Sequence, residues 1–422
     1  MQKNLIKESR SHIQKDFPAF FIAAKLANKK QNIYSLEKIK ESADENQIPY
    51  TEYRANLYPP PFSLLISIFS GLNLYKAQEY FVILKIFILI VLSLLVPAMI
   101  LNSSFYKSTF SVNERYLYTL LIFGLSLNFF ALNNGIVSDM RDGQMNILTG
   151  FLVFLSFAFE VRFPVVSGFF IALGGSIKLS PYYLTMKFLF GKNKNSIFGT
   201  IVFSIFLFLA SLYYFGFEIH KIFIQNIFIP FFKEDSIPIL NWPLSHSQNQ
   251  SFKGLFYRLF IPDYPDPLSG TQIIYYAPWI AKLLTLIFNF MVIGICSVIA
   301  YRSVKLNNIW SSGLTYSVFV SGALLTSPLT WFHHFSFLVF PFSVTIAYLV
   351  LEKRKEFKYM LFFIFIGILF ALPPLFLYPE TRIKGFSFLN YIKLFANCVF
   401  FLFIVKLYLG IEKQERTGNE NN

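Results

Sequence analysis

Apolar runs of roughly 17 to 25 residues, each long enough to cross a bilayer as a helix, recur along most of this 422-residue chain. The clearest lie at Tyr80 to Leu101, Tyr116 to Leu132, Ser196 to Phe217, Tyr276 to Ala300, Ile309 to Thr326, His333 to Leu351, Tyr359 to Leu377 and Phe388 to Leu409. Three shorter runs, Asn146 to Phe159, Phe163 to Ile177 and Pro181 to Phe190, are punctuated by Arg162 and Lys178 and are expected to be tilted or discontinuous helices buried by their neighbours. A backbone in hydrocarbon must satisfy its own polar groups. The chain is therefore expected to be an all-α polytopic membrane protein with about eleven membrane segments.

Composition agrees: 55% of residues are hydrophobic, 19% aromatic and only 14% charged, which excludes an ordinary soluble domain. The formal charge of +14 is not a nucleic-acid signature, because the basic residues sit in short loops between apolar runs, where cytoplasmic loops meet anionic lipid. Cys296 and Cys398 both fall inside apolar runs and suggest neither a disulfide framework nor a thiolate metal site.

Short basic loops stay cytoplasmic. Starting from Lys353, Arg354, Lys355 and Lys358, strict alternation also places Arg302 with Lys305, Lys192 with Lys194, Arg162, and Lys107 with Arg115 inside. The opposite face of the cell membrane then receives residues 133–144, Lys178, residues 218–274 and the His333/His334 turn. Three regions are expected: an outer segment 1–78, a multi-span region 79–410 and a cytoplasmic polar tail 411–422. No apolar run precedes the outer segment, so the expectation is one more helix upstream of Met1, the alternatives being a truncated chain or an inverted topology.

Candidate chemistry collects on that outer face. Adjacent imidazoles in the run Ser327 to Phe335, SPLTWFHHF, need partners or water if they lie at a membrane face. Asp16 precedes the aromatic segment FPAFFIAAKLANKKQNIY, and Pro59, Pro60 and Pro61 stop any helix from running through YPPPF. Phe62 to Leu74 is too short to span and is expected to lie in the interface. Each motif also has a plainer reading. Asp16 fits a solvated tail charge, Lys178 a snorkelling helix-end lysine, and Gln144 and Asn146 polar links between helices. One of the two histidines fits a structural role, and NQS at Asn249 fits a loop turn or a glycosylation acceptor.

Asp16 with the aromatic stretch to Tyr34, YPPPF from Tyr58, DGQMN from Asp142, KLSP from Lys178, NQSFKGLFYRL from Asn249 and SPLTWFHHF occur in that order. Together they resemble the polyprenyl-phosphate-sugar-dependent GT-C glycosyltransferases typified by the actinobacterial phosphatidylinositol mannoside α-1,2-mannosyltransferases. The resemblance spans roughly Asp16 to Pro341. It implies an extracytoplasmic active site, a lipid-phosphate sugar donor, a glycolipid or glycan acceptor, inversion at the anomeric carbon, and Asp16 as catalytic base. Two departures stand out: Phe20 and Phe21 replace a family tyrosine, and Lys30 replaces a family glycine.

The chemistry is consistent with those residue types. Polyprenyl phosphate leaves without a general acid, so transfer needs a base for the acceptor hydroxyl and positive charge or donors at the departing phosphate. Asp16 is the candidate base; Lys178, His333, His334 and Arg141 are candidates for the phosphate; Gln144, Asn146, Asn249 and Gln250 offer amides to a sugar. No cofactor or metal is called for, because no acidic pair shows ligand spacing; Asp263 and Asp266 are expected to cap a loop. A secondary transporter with discontinuous helices at Gly174, Gly175 and Pro181, or a lipid-linked-sugar flippase, is the alternative.

Overall fold

The structure is a computed structural model that describes residues 10, 12–49, 55–233, 236–237, 242–243, 246, 248–261, 275–306, 308–353, 355–373 and 390–420. Asp263 and Asp266 lie outside the described residues. The protein is a polytopic all-α membrane protein; among the described residues the only pairing of strands is a two-residue antiparallel contact, β1 (Ser236–Ile237) with β2 (Trp242–Pro243).

The chain opens with α1 (Phe17–Asn28) and α2 (Leu36–Glu45), then α3 (Pro60–Ile66), which a 3-10 turn extends to Phe69. Proline at the start of α1 and α3 sets the first turn where no intrahelical N–H partner exists anyway. These elements do not form a solvated tail. Ten of the twelve residues of α1 are buried, and Phe17, Phe20, Phe21 and Phe62 share a core with Met145, Leu152, Ile177, Ile219 and Ile227 from later in the chain. Lys30 has φ +55°, a left-handed position that glycine occupies without strain.

Long helices follow: α4 (Leu74–Leu101), short α5 (Ser104–Thr109) and α6 (Val112–Leu132). Asn73 caps α4, and Ser111 with Glu114 forms a capping box on α6, so polar side chains mark where each helix begins. The next pair, α7 (Asn134–Asp142) and α8 (Asn146–Phe159), is bent by 116°. Gly143 makes the corner at φ +78°, and a Cβ there would lie 2.5 Å from that of Phe17. Glycine is thus required twice over, by conformation and by the approach of the α1 segment.

After the corner come α9 (Pro164–Ile177), α10 (Leu184–Phe190), α11 (Lys194–Phe215), α12 (Phe217–Phe223) and, after a π-helical turn, α13 (Ile229–Lys233). Helices α9 and α11 touch backbone to backbone: a Cβ on Gly199 would lie 2.2 Å from the Val165 carbonyl oxygen. Small residues at a crossing are what permit such contact in a membrane. The chain ends with α14 (Phe252–Phe260), α15 (Pro278–Ser303), α16 (Ile309–Thr326), a 3-10 segment Phe332–Leu338 leading into α17 (Val339–Glu352), α18 (Phe357–Ala371) and α19 (Ile392–Glu420). Of the expected polar tail, residues 411–420 continue α19 as helix, with Glu412 pairing with Arg302.

Six described helices are long and apolar enough to cross a membrane, or seven if the bent α7–α8 pair counts as one span. Other apolar helices among the described residues are shorter, α9 and α18 having 14 and 15 residues. Apolar length also says little about lipid exposure. The span Phe332–Glu352 is 94% buried inside the protein, whereas Lys194–Phe215 is 22% buried and faces outward.

Candidate active site

Aspartate before a helix ordinarily spends its carboxylate on the first free backbone N–H groups. Asp16 occupies that position on α1 but makes no side-chain cap. Its carboxylate instead receives Gln144 Nε2 on Oδ2 at 2.8 Å, while its backbone N–H donates to the Asp142 carbonyl at 2.8 Å. Gln144 is held in turn by the Tyr58 hydroxyl, which donates to Oε1 at 2.9 Å. Tyr58 is fixed by its N–H to Asn56 Oδ1, by the Tyr34 hydroxyl on its carbonyl, and by edge-on contact with Phe20. The prolines of YPPPF and the Gly143 corner therefore converge on one carboxylate.

Asp16 borders a cavity of about 410 Å³. The same cavity is lined by Lys178 at the C-terminus of α9, and by His333 and His334 on the 3-10 segment. Lys178 Nζ donates to Asn146 Oδ1 at 2.7 Å. Trp331 N–H donates to His334 Nδ1 at 3.2 Å, which makes that nitrogen an acceptor. His333 Nδ1 stands 3.8 Å from Asp142 Oδ2, an oxygen that also accepts the Ser138 hydroxyl at 2.8 Å. Much of the remaining wall is apolar and aromatic, with Tyr183, Phe223, Ile227, Phe228, Phe231 and Leu324, beside the polar Ser180, Thr326 and Ser327.

Two groups outside the spans are electrostatically displaced. Burial lifts the Asp16 carboxyl above the usual carboxylate range, opposed by His333 and the Gln144 hydrogen bond, with Asp142 adding to the rise. Burial also brings the Lys178 ammonium down to about 7, against the pull of Asp139 and Asp16. A carboxylate made more basic and a lysine poised near neutrality face one concave space, the pattern of an acid–base site.

The cavity gathers Asp16, Gln144, Asn146, Lys178, His333 and His334. Gln144 and Asn146 use their amides to hold Asp16 and Lys178, so they build the site as well as line it. Three expected residues lie elsewhere. The Arg141 side chain is 64% exposed and turns to Asp142 Oδ1, since α7 ends there and points it away from the corner. Asn249 accepts the Thr330 N–H and donates to the Pro328 carbonyl; Gln250 donates to the Asn390 carbonyl and accepts Lys393 N–H. The Asn249 amide braces the loop before the histidines and the Gln250 amide ties to the start of α19, and neither residue lines the cavity.

Residues that sequence reasoning passed over also appear. Lys15 borders the cavity with Nζ 6.0 Å from the Trp331 ring centre; its place beside Asp16 was the available signal. Lys85 and Asp139 form a fully buried pair behind the site. A lysine in the middle of an apolar helix was a readable signal. Asp16, Asp142 and His333 each bring one potential ligand atom to within 4.8 Å of the others, a set able to accept a divalent cation. No local spacing could show this, because the three come from separate segments.

Glycosyltransferase family 87 matches residues 56–328, about two thirds of the sequence. The chain belongs to glycosyltransferase family 87. Tyr58, Gln144, Asn146 and Lys178 fall within the matched range; Asp16 precedes it, and His333 and His334 follow it. No curated protein and no solved structure matches the sequence. The protein is thus a membrane glycosyltransferase, which requires a sugar donor and an acceptor.

Proposed function

We propose that this glycosyltransferase moves a mannose-like hexose from a polyprenyl-phosphate-sugar donor to a hydroxyl of an envelope glycolipid or glycan on the extracytoplasmic face of the cell membrane. The observation that carries this reading is the mixed lining of one cavity: the Asp16 carboxylate, Lys15, Lys178 and two histidines share it with a largely aromatic and aliphatic wall. A phosphate carrying a prenyl chain matches such a surface, with the phosphate beside the cationic side chains and the chain along the aliphatic and aromatic wall.

In this mechanism Asp16 takes the acceptor proton as the acceptor oxygen attacks the anomeric carbon. The bond from that carbon to the phosphate oxygen breaks, its electron pair stays on the phosphate, and the configuration inverts. Lys178 and the histidines stabilise the charge gathering on the phosphate. Gln144 holds the Asp16 carboxylate in place to take the proton, and Tyr58 holds Gln144. Helix α17 supports the sidedness: the histidine turn sits at one end and Lys353 at the other, separated by 14 helical residues, about 21 Å. A cytoplasmic basic loop then leaves the cavity on the outer side.

Purified protein, a radiolabelled polyprenyl-phosphate mannose and a membrane lipid extract provide the test. Release of polyprenyl phosphate together with label in a new glycolipid or glycan is expected. Label moved across a vesicle membrane with the donor intact would instead mean a flippase or transporter.

A further inference from the structure

We infer that Asp139 is a positioning residue for transfer: it acts through Asn146 on the ammonium of Lys178, with Lys85 as its buried counter-ion. This rests on the role given to Lys178 above. Asp139 and Lys85 are both 0% exposed, so neither touches substrate. Asp139 Oδ2 accepts the Asn146 backbone N–H at 3.1 Å, Asn146 Nδ2 at 3.0 Å and the Ser336 hydroxyl at 2.8 Å. Lys85 Nζ donates to Asp139 Oδ1 at 3.3 Å, to the Asp139 carbonyl at 2.8 Å and to the Gln144 carbonyl at 3.3 Å. Buried ions persist when paired and hydrogen-bonded in this way.

The direction imposed on Asn146 makes the pair more than architecture. Asn146 Nδ2 gives its hydrogens to Asp139 and to the His333 carbonyl, at 3.0 and 3.1 Å. Its single acceptor oxygen is left facing Lys178 and receives Nζ at 2.7 Å. The opposite amide orientation would set N–H against ammonium and oxygen against carboxylate, so Asp139 fixes one orientation only. The charged and titratable groups facing Lys178 are Asp16, His334 and, behind Asn146, Asp139, which itself carries Lys85. The negative charge of Asp139 favours the protonated form of Lys178. Neutralising it makes Lys178 lose its proton at lower pH and weakens the hold on the Asn146 amide, which keeps the His333 carbonyl.

The test uses the full-length protein in lipid nanodiscs. Lys178 is labelled with a small amine reagent across a pH series, read by peptide mass spectrometry, and transfer is assayed in parallel. Asp139→Asn is expected to move the labelling midpoint to lower pH and to slow transfer about tenfold, as for coupled neighbours. It should have no further effect in a Lys178→Met background. If Asp139→Asn does not fold, Lys85→Met with Asp139→Asn removes both charges and leaves no unpaired buried ion; the same midpoint shift is expected. An unchanged midpoint in a folded variant, or losses that multiply with Lys178→Met, would overturn the inference. So would misfolding of both variants, which would make the pair a folding element alone. Labelling reads Lys178 whether or not transfer occurs. A shifted midpoint with normal transfer by Lys178→Met would therefore uphold the coupling and strike the functional reading.

Discussion

Replacing Asp16 with asparagine removes a charge and changes almost nothing else. Asparagine keeps an oxygen to accept Gln144 Nε2, and the backbone N–H to the Asp142 carbonyl is unaffected. What disappears is the proton acceptor. General-base help is commonly about 10²- to 10⁴-fold, which at about 1.36 kcal/mol per tenfold is roughly 2.7 to 5.4 kcal/mol of barrier. Transfer from polyprenyl-phosphate mannose by Asp16→Asn is expected to fall by that factor in kcat, with donor binding retained. The stability consequence runs the other way. Because burial raises the folded carboxyl above its unfolded value, the folded state binds the proton more tightly. The stability Asp16 contributes is therefore present at low pH and is lost as pH rises through the folded value. Asp16→Asn lacks that loss, so at neutral pH its thermal midpoint should equal or exceed that of the wild type, a trade of stability for activity. Thermal unfolding in nanodiscs with single-turnover transfer measures both. Wild-type turnover, or an inactive variant with a clearly lower midpoint, would refute the assignment of Asp16 as base.

Lys178→Met should lower kcat more than it raises the donor KM, because the charge it meets gathers on the phosphate in the transition state. In the wild type, kcat/KM for the donor should fall as pH rises through about 7, where the ammonium is lost; a flat profile there would exclude the ammonium as a phosphate partner. Gly143→Ala forces a side chain into φ +78° and against Phe17, so a loss of about 1 to 3 kcal/mol is expected, read as a lower unfolding midpoint. No change would mean that the α7–α8 corner relaxes freely. Removing divalent ions with EDTA should leave turnover unchanged if Asp16 works as a free base; a loss restored by Mn²⁺ would place a cation between Asp16, Asp142 and His333.

The sequence determined the membrane character, because long apolar runs admit only helices in hydrocarbon, and it located most helix ends. Ile309–Thr326 and Asn146–Phe159 appear with the expected bounds. Chemically unusual residues were visible for the same reason: Asp16, Lys178, His333 and His334 are polar groups next to apolar runs, a placement that carries a cost without a partner. Orientation was not visible. Arg141 and Gln144 are three residues apart, yet the Gly143 corner sends one outward and the other to Asp16. Asn249 and Gln250 read as free amides, but loop residues brought in from far along the chain occupy them. Lys85 and Asp139 are 54 residues apart and become a pair only when α4 packs beside α7. Local sequence sets helix length and the choice of polar residue. Which polar groups meet is decided by packing between distant segments, because a buried charge or amide must find its partner wherever the fold supplies one.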